Sequence, residues 1–380
     1  MITGIFKRFN ITGLCVPDKH YMVDTSAKIE TIIREYIEHG DYFVINRARQ
    51  YGKTTTFSRL DNALRDRYYI IRASFAGYGE SVFQIPSLFI STFLEKTAFT
   101  MRNAKIPDNL ITSWSADNEN LSLPQLETRI IQLVSQSDKP VVLMIDEVDK
   151  STNNQLFLDF LAMLRDMYLF RNEGIAPAFH SVILAGIKDI TNLKIKIPPE
   201  EEYKHNIPWN IAASFDVDMS FAPDEIATML DEYETDYHIG MNIGAVSNRL
   251  HYHTGGYPYL VSALCKIIHE KSLGWNEIGV DSAAKLLVLE TNALFDDIIK
   301  NMQRHESLNE IITAILLRGQ AVSYVPSDPG VSMGIMYGIL RREDRRVVIS
   351  NRIFETYIYE YLIIQGKEIN QTLRLQDQSV

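Results

Sequence analysis

Two short stretches of the chain carry residue types suited to one kind of chemistry. Gly52-Lys53-Thr54 closes the run Arg47-Ala48-Arg49-Gln50-Tyr51 and opens an apolar-periodic stretch in which Thr55 follows directly. In such a loop the backbone N–H groups from Arg49 to Thr55 can cradle phosphates, and a helix start adds its dipole. Lys53 would reach the β- and γ-phosphates, and the Thr54 hydroxyl would help hold Mg²⁺. The second stretch is Val141–Asp149, VVLMIDEVD. An acidic residue at the tip of an apolar strand completes a magnesium site, which suits Asp146. Glu147 comes next, where a carboxylate can polarise the water that attacks a γ-phosphate. Together the two stretches imply ATP or ADP with Mg²⁺ as cofactors, and hydrolysis of ATP to ADP and phosphate. Each has a plainer reading when taken alone: a chance GKT at a helix start, and a solvated acidic loop after a core strand. Their strand–loop–helix order favours the site. Asp149 and Lys150 read as surface leading into the next helix.

The elements that must position these groups follow from periodicity. Ser26–Glu38 repeats Ile29, Ile32, Ile33, Tyr36 and Ile37 at helical spacing. Tyr42–Arg47, Tyr68–Phe75, Val141–Ile145 and Ser181–Ala185 read as strands, with Ile211–Phe215 as a fifth. The helix after Thr54 turns Phe57, Leu60 and Leu64 to one side. Further helices are expected over 82–99, 125–136 and 152–169, while 101–124 reads as an irregular insertion with a short helix. Strands alternating with helices predict an α/β fold, a parallel sheet with helices on both faces. After residue 220 the pattern becomes helical: 223–233, 243–252, 259–271, 283–299 and 307–317. Val331–Tyr337, the Leu340–Ser350 hairpin and Ile353–Ile363 then give a helix–hairpin–helix order. The division is a core over 1–220, a helical lid over 221–300 and a winged-helix-like domain over 301–380.

Composition narrows the function classes. The chain has 380 residues, 46% hydrophobic and 23% charged, which excludes global disorder and a coiled-coil rod. Its formal charge of −10 excludes a wholesale nucleic-acid coat but leaves room for a local basic patch. Two cysteines cannot build a disulfide scaffold. No His/Cys/Asp cluster has zinc spacing, so no structural metal is assigned. The start lacks the apolar run of a signal peptide, and no segment approaches the ~20 apolar residues of a membrane span. The expectation is a soluble cytoplasmic protein with no membrane partner.

Taken together, these motifs resemble a bacterial or archaeal AAA-like P-loop ATPase of the STAND and origin-recognition-related branch. RARQYGKTTT is similar to that branch's phosphate loop, IDEVD to its Walker B, SVILAGIKD to the strand and loop of sensor 1, and HTGGYPYLVSALC to the lid element whose Gly-x-Pro turn approaches the nucleotide. The resemblance implies that HYMVD, with Met22 and Val23, lies against adenine and that Pro258 lies near the base or ribose. Arg47 stands where the motif has its first glycine. SVILAG offers no Asn or Thr, which leaves Lys188 or Asp189 for the sensor 1 role. Arg49, Arg72, Arg165 and Arg171 are candidate γ-phosphate sensors, in cis or from a neighbouring molecule. No Asn/Thr-Lys-x-Asp segment supports guanine recognition. Arg341, Arg342, Arg345 and Arg346 surround the predicted wing and could grip duplex phosphates. Glu343 and Asp344 at its turn favour a solvated hairpin instead. The resulting function is a Mg²⁺-dependent, slowly hydrolysing, nucleotide-controlled conformational switch. The alternative is a nucleotide-gated DNA-binding or protein-interaction module with negligible catalysis. The partner is expected to be DNA, another protein or a second copy of the chain.

Overall fold

A computed structural model describes residues 7–116, 118, 120–151, 154–187 and 209–377. By internal packing the chain forms two compact units. One comprises Ser26–Arg47 and Lys53–Asp218, the core unit; the other comprises the described parts of Met1–Thr25, Ala48–Gly52 and Met219–Val380, the C-terminal unit.

In the core unit, β1 (Tyr42–Asn46), β2 (Tyr69–Ser74), β3 (Val141–Asp146) and β4 (Ser181–Gly186) form one sheet in the order β1-β4-β3-β2. All its ladders are parallel. Every residue of β3 and β4 is buried, as expected of strands covered on both faces. The register pairs Asn46 with Gly186 and Ser74 with Asp146, which brings these four strand tips to one edge of the sheet. The expected fifth strand is reduced to one parallel bridge, Phe43 to Ala213.

The helices are α1 (Ser26–Ile32), extended by a π-helical turn over Ile33–Ile37, α2 (Lys53–Leu64), α3 (Pro86–Asn103), α4 (Asp108–Ser115), α5 (Leu123–Gln136) and α6 (Gln155–Asn172). α2 buries Phe57, Leu60 and Leu64 as its spacing predicts. The helix expected from Val82 instead begins at Pro86, after a 3-10 turn over Glu80–Phe83. Proline at the first turn sets φ for the helix and has no N–H to leave unpaired. The polar character of 101–124 is misleading. Leu110, Ile111 and Trp114 of α4 face the core, and the Trp114 indole donates to Thr97 Oγ1 at 2.8 Å.

The C-terminal unit contains α7 (Pro223–Tyr237), α8 (Ile243–Thr254), α9 (Pro258–Lys271), α10 (Glu277–Leu289), α11 (Ala293–Arg304), α12 (Glu306–Arg318), β5 (Val322–Ser323), α13 (Pro329–Met336), β6 (Leu340–Glu343), β7 (Arg346–Ile349) and α14 (Arg352–Asp377). Its strands form a small antiparallel sheet in the order β5-β7-β6. Thus a parallel sheet core is followed in sequence by helices and a small wing-like sheet. The single helix expected over 283–299 is two, α10 and α11. Asn292 breaks it, because its side chain caps α11 by accepting from the Phe295 N–H at 3.0 Å. The N-terminal segment packs on this unit. Tyr21 donates to Asp236 at 2.7 Å, and the Phe9 ring packs, tilted, against those of Tyr21, Tyr233 and Trp275.

Candidate functional site

At the tip edge of the core sheet, the groups expected to do chemistry come together. The Thr54 hydroxyl, in the first turn of α2, donates to Asp146 Oδ2 at 2.8 Å. Asp146 Oδ1 accepts the Glu147 backbone N–H at 2.8 Å. Asp146 is only 8% exposed, and both of these donors are neutral. A buried carboxylate normally requires a cation or a metal nearby, so this arrangement is suited to one. Lys53 Nζ donates to the Arg47 carbonyl at 2.7 Å, which places the ammonium at the mouth of the loop. Glu147 is exposed and holds φ of +54°. For a residue with a Cβ this left-handed conformation costs about 1–2 kcal/mol and persists only where its surroundings hold it. A cavity of about 800 Å³ opens beside Thr54, Asp146 and Glu147 and runs along Arg72 and Lys96.

The rest of the loop, Ala48–Gly52, packs within the C-terminal unit. The Tyr257 hydroxyl donates to the Arg49 carbonyl, and the rings of Tyr51 and Tyr257 meet edge to face at 4.6 Å. Burial, followed by the nearby Tyr51 and Asp297, raises the Tyr257 pKa far above that of an ordinary phenol, so the hydroxyl stays a donor. The Arg49 guanidinium pairs with Asp297 at 2.7 Å. Gly52 has φ of +77° and open space where a Cβ would point. Glycine is therefore required there by backbone conformation.

Sequence reasoning misses Tyr257 and Asp297 as holders of this loop. The only sequence signal is that Tyr257 precedes Pro258. Pro258 itself is buried at the first position of α9. Val23 is buried and Met22 partly so; the next residue, Asp24, donates its N–H to Thr228 Oγ1 of α7 at 2.9 Å.

A model of the AAA-like domain matches residues 16–360. The chain belongs to the AAA-like domain family. No curated protein matches it in sequence. Among solved structures, it is similar to the Walker-type ATPase paby2304 of Pyrococcus abyssi, with 14% identity, 92% of this chain and 99% of that one covered, and a TM-score of 0.58. It is also similar to the ORC2 protein of Aeropyrum pernix, with 11% identity, 94% and 97% covered, and a TM-score of 0.42. The RuvB Holliday junction branch migration motor of Thermotoga maritima gives 11%, 88% and 93%, and 0.39. At 14% identity the likeness to the Pyrococcus abyssi protein is one of fold. The family and its sheet core are consistent with nucleotide binding and AAA-like ATPase activity.

The remaining candidates of this AAA-like chain separate by position. Arg171 lies at the opposite edge of the sheet. It donates to the carbonyls of Phe179, at 2.7 Å, of His180 and of Gly40, at 2.7 Å, all of which precede strand starts. Its role is a strut, so it does not act as a sensor for its own loop. Arg165 donates to Asn210 Oδ1 at 2.9 Å, and Arg72 lies 3.6 Å from Asp61. Lys188 and Asp189 lie outside the described residues. Asp149, read from sequence as surface, accepts the Ile187 N–H with both oxygens, at 2.7 and 2.8 Å. Arg341, Arg342, Arg345 and Arg346 are all exposed on the β6–β7 hairpin; Arg341 pairs with Glu343 at 2.8 Å and Arg342 lies over the Tyr324 ring.

Among the described residues, no group of three or more His, Cys, Asp and Glu side chains could hold a metal by itself. Magnesium fits another arrangement, with one or two protein oxygens completed by phosphate oxygens and water. Thr54 and Asp146 would supply such oxygens. No helix among the described residues is long and apolar enough to cross a membrane.

Proposed function

We propose that the chain is a Mg²⁺-dependent ATP-binding protein that hydrolyses ATP slowly and works as a nucleotide-controlled conformational switch. The observation that carries this is the 2.8 Å contact from Thr54 to Asp146, with Lys53 beside Thr54 in the first turn of α2. In this reading Lys53 meets the β- and γ-phosphates, and the backbone from Arg49 to Thr55 wraps them. Thr54 and Asp146 hold Mg²⁺, which when bound neutralises phosphate charge. Glu147 takes the proton side of the reaction by orienting the attacking water. Met22, Val23 and Pro258 belong to the base and ribose side. Residues 1–220 act as the ATPase core, 221–300 as the lid and 301–380 as the winged-helix-like reader, within the STAND and origin-recognition-related branch. The exposed hairpin arginines suit duplex phosphates or an acidic partner surface, and a second copy of the chain is the other partner considered.

Calorimetry with ATP and ADP, with and without Mg²⁺, combined with limited proteolysis of residues 220–305, tests the reading. Wild type should bind both nucleotides, and Lys53→Ala should lose about 10-fold or more in ATP affinity through a lost charge-assisted contact. ATP and ADP should protect the 220–305 segment differently in wild type. Equal ATP affinity in the two proteins removes Lys53 from the site, and identical cleavage in every state removes the switch.

A further inference from the structure

Asp149 lies two residues beyond Glu147, in the 3-10 turn over Val148–Ser151. Its carboxylate does not face water alone. Both oxygens accept the Ile187 N–H, at 2.7 and 2.8 Å, just past the tip of β4. The last residue of β4, directly before the contact, is Gly186, and a Cβ there would lie 2.8 Å from Asp149 Oδ1 and 3.0 Å from Val148 Cγ2. Glycine at 186 is thus the condition for this close approach. From Gly186 the connection continues: its carbonyl accepts the Arg47 N–H at 3.1 Å, and the Arg47 carbonyl accepts Lys53 Nζ at 2.7 Å. One hydrogen-bonded path therefore runs from the Glu147 loop, through the end of β4, to the lysine of the phosphate loop, all within the core unit.

We infer that Asp149 is a positioning residue, which pins the Glu147 loop to the end of β4 and so sets the carboxylate of Glu147 where it can orient the attacking water. The inference rests on the ATPase reading given above. Its physical basis is the left-handed Glu147, with φ of +54°. A residue with a Cβ stays there only while its neighbours over-determine it. The upstream side is held by β3 and by the Glu147 N–H on Asp146. Asp149 supplies the downstream hold. With that hold gone, the loop can relax toward the right-handed region and carry the Glu147 carboxylate away. A misplacement of about 1 Å can cost on the order of 10²-fold in rate. A phosphate-binding loop built on α2 and its lysine would still bind nucleotide.

The test combines steady-state turnover, ADP affinity and amide exchange on the full chain. Asp149→Ala should lower kcat about 10- to 100-fold while ADP affinity stays within about 3-fold. Asp149→Asn should fall between wild type and alanine, because one side-chain oxygen can still accept the Ile187 N–H. Gly186→Ala should reproduce the loss from the other side of the contact, and should cost less in the Asp149→Ala background, since the two residues share one contact. In nucleotide-free protein, exchange should speed up in peptides covering 146–151 and Ile187. Unchanged kcat in Asp149→Ala overturns the inference. So does a loss of kcat and ADP affinity by the same factor with a lowered melting temperature, the mark of a purely structural role. If wild type itself does not turn over ATP, the ATPase reading falls, and unchanged exchange in Asp149→Ala then overturns the pin on its own evidence.

Discussion

The two edges of the core sheet are built on opposite principles. At the strand starts, Arg171 spans the carbonyls of Gly40, Phe179 and His180 and lies over the rings of Tyr42 and Tyr168, 5.4 and 4.9 Å from their centroids. His180 Nε2 meets the Ile37 carbonyl at 2.7 Å. Polar groups there are committed to backbone partners. At the strand tips, Asp146 is buried with neutral donors, Lys53 rests on a backbone carbonyl it can leave, and Glu147 stands in a left-handed conformation beside an open cavity. The difference shows where the stability of this unit lies and where its polar groups can turn to a ligand. A group with settled partners cannot turn to a ligand; a lysine resting on a carbonyl can turn to a phosphate, and a buried carboxylate with neutral donors can take up a cation.

The largest effect expected from breaking this contrast is on turnover. Glu147→Gln keeps shape and removes the proton acceptor, so phosphate release should fall about 100-fold or more while ATP affinity holds. Phosphate release equal to wild type would move water activation to another group and remove the functional meaning of the strained tip. At the other edge the readouts should reverse. Arg171→Met removes one donor from each of three carbonyls, of which that of Phe179 keeps the Tyr42 hydroxyl at 3.1 Å, and chemical denaturation should show a loss of about 3 kcal/mol. ADP affinity measured below the unfolding transition should not change. A variant that keeps its stability but loses ADP affinity would show that the two edges are not separate.

The smallest effect is a pH slope. Burial lowers the His180 pKa below its ordinary 6.5, with Arg171 adding to the shift and the bond to the Ile37 carbonyl opposing it. Below pH ~6.5 the unfolded chain then binds more protons at this site than the folded one, so stability declines as pH falls from there toward the folded pKa. His180→Gln should remove that part of the slope, measured by denaturation between pH 5 and 8. An identical slope in both proteins would mean that this edge does not sense protons through His180.

Much of the candidate site is legible in the sequence because its local geometry depends on adjacent residues. A Gly-Lys-Thr run at a helix start and an apolar strand ending in Asp-Glu bring their own local geometry, and the spacing of Phe57, Leu60 and Leu64 marks the buried face of α2 without any knowledge of what it packs on. The parallel sheet likewise follows from strands and helices in alternation. What sequence could not decide was which distant group each polar residue would meet. Asp149 resembles surface because nothing nearby in the chain explains it; its partner, Ile187, is distant in sequence and is brought close by β3 pairing with β4. Tyr257 and Asp297 hold Arg49 of the candidate loop only because α9 and α11 fold onto it within the C-terminal unit. Arg171, an equal candidate among four arginines, is assigned by the sheet edge it stands on. Trp114 is hidden in a segment of polar character until α4 turns its apolar side inward. Periodicity reports burial one element at a time, so it determines elements and motif tips. Partnership is a property of elements brought together, and only the tertiary structure decides it.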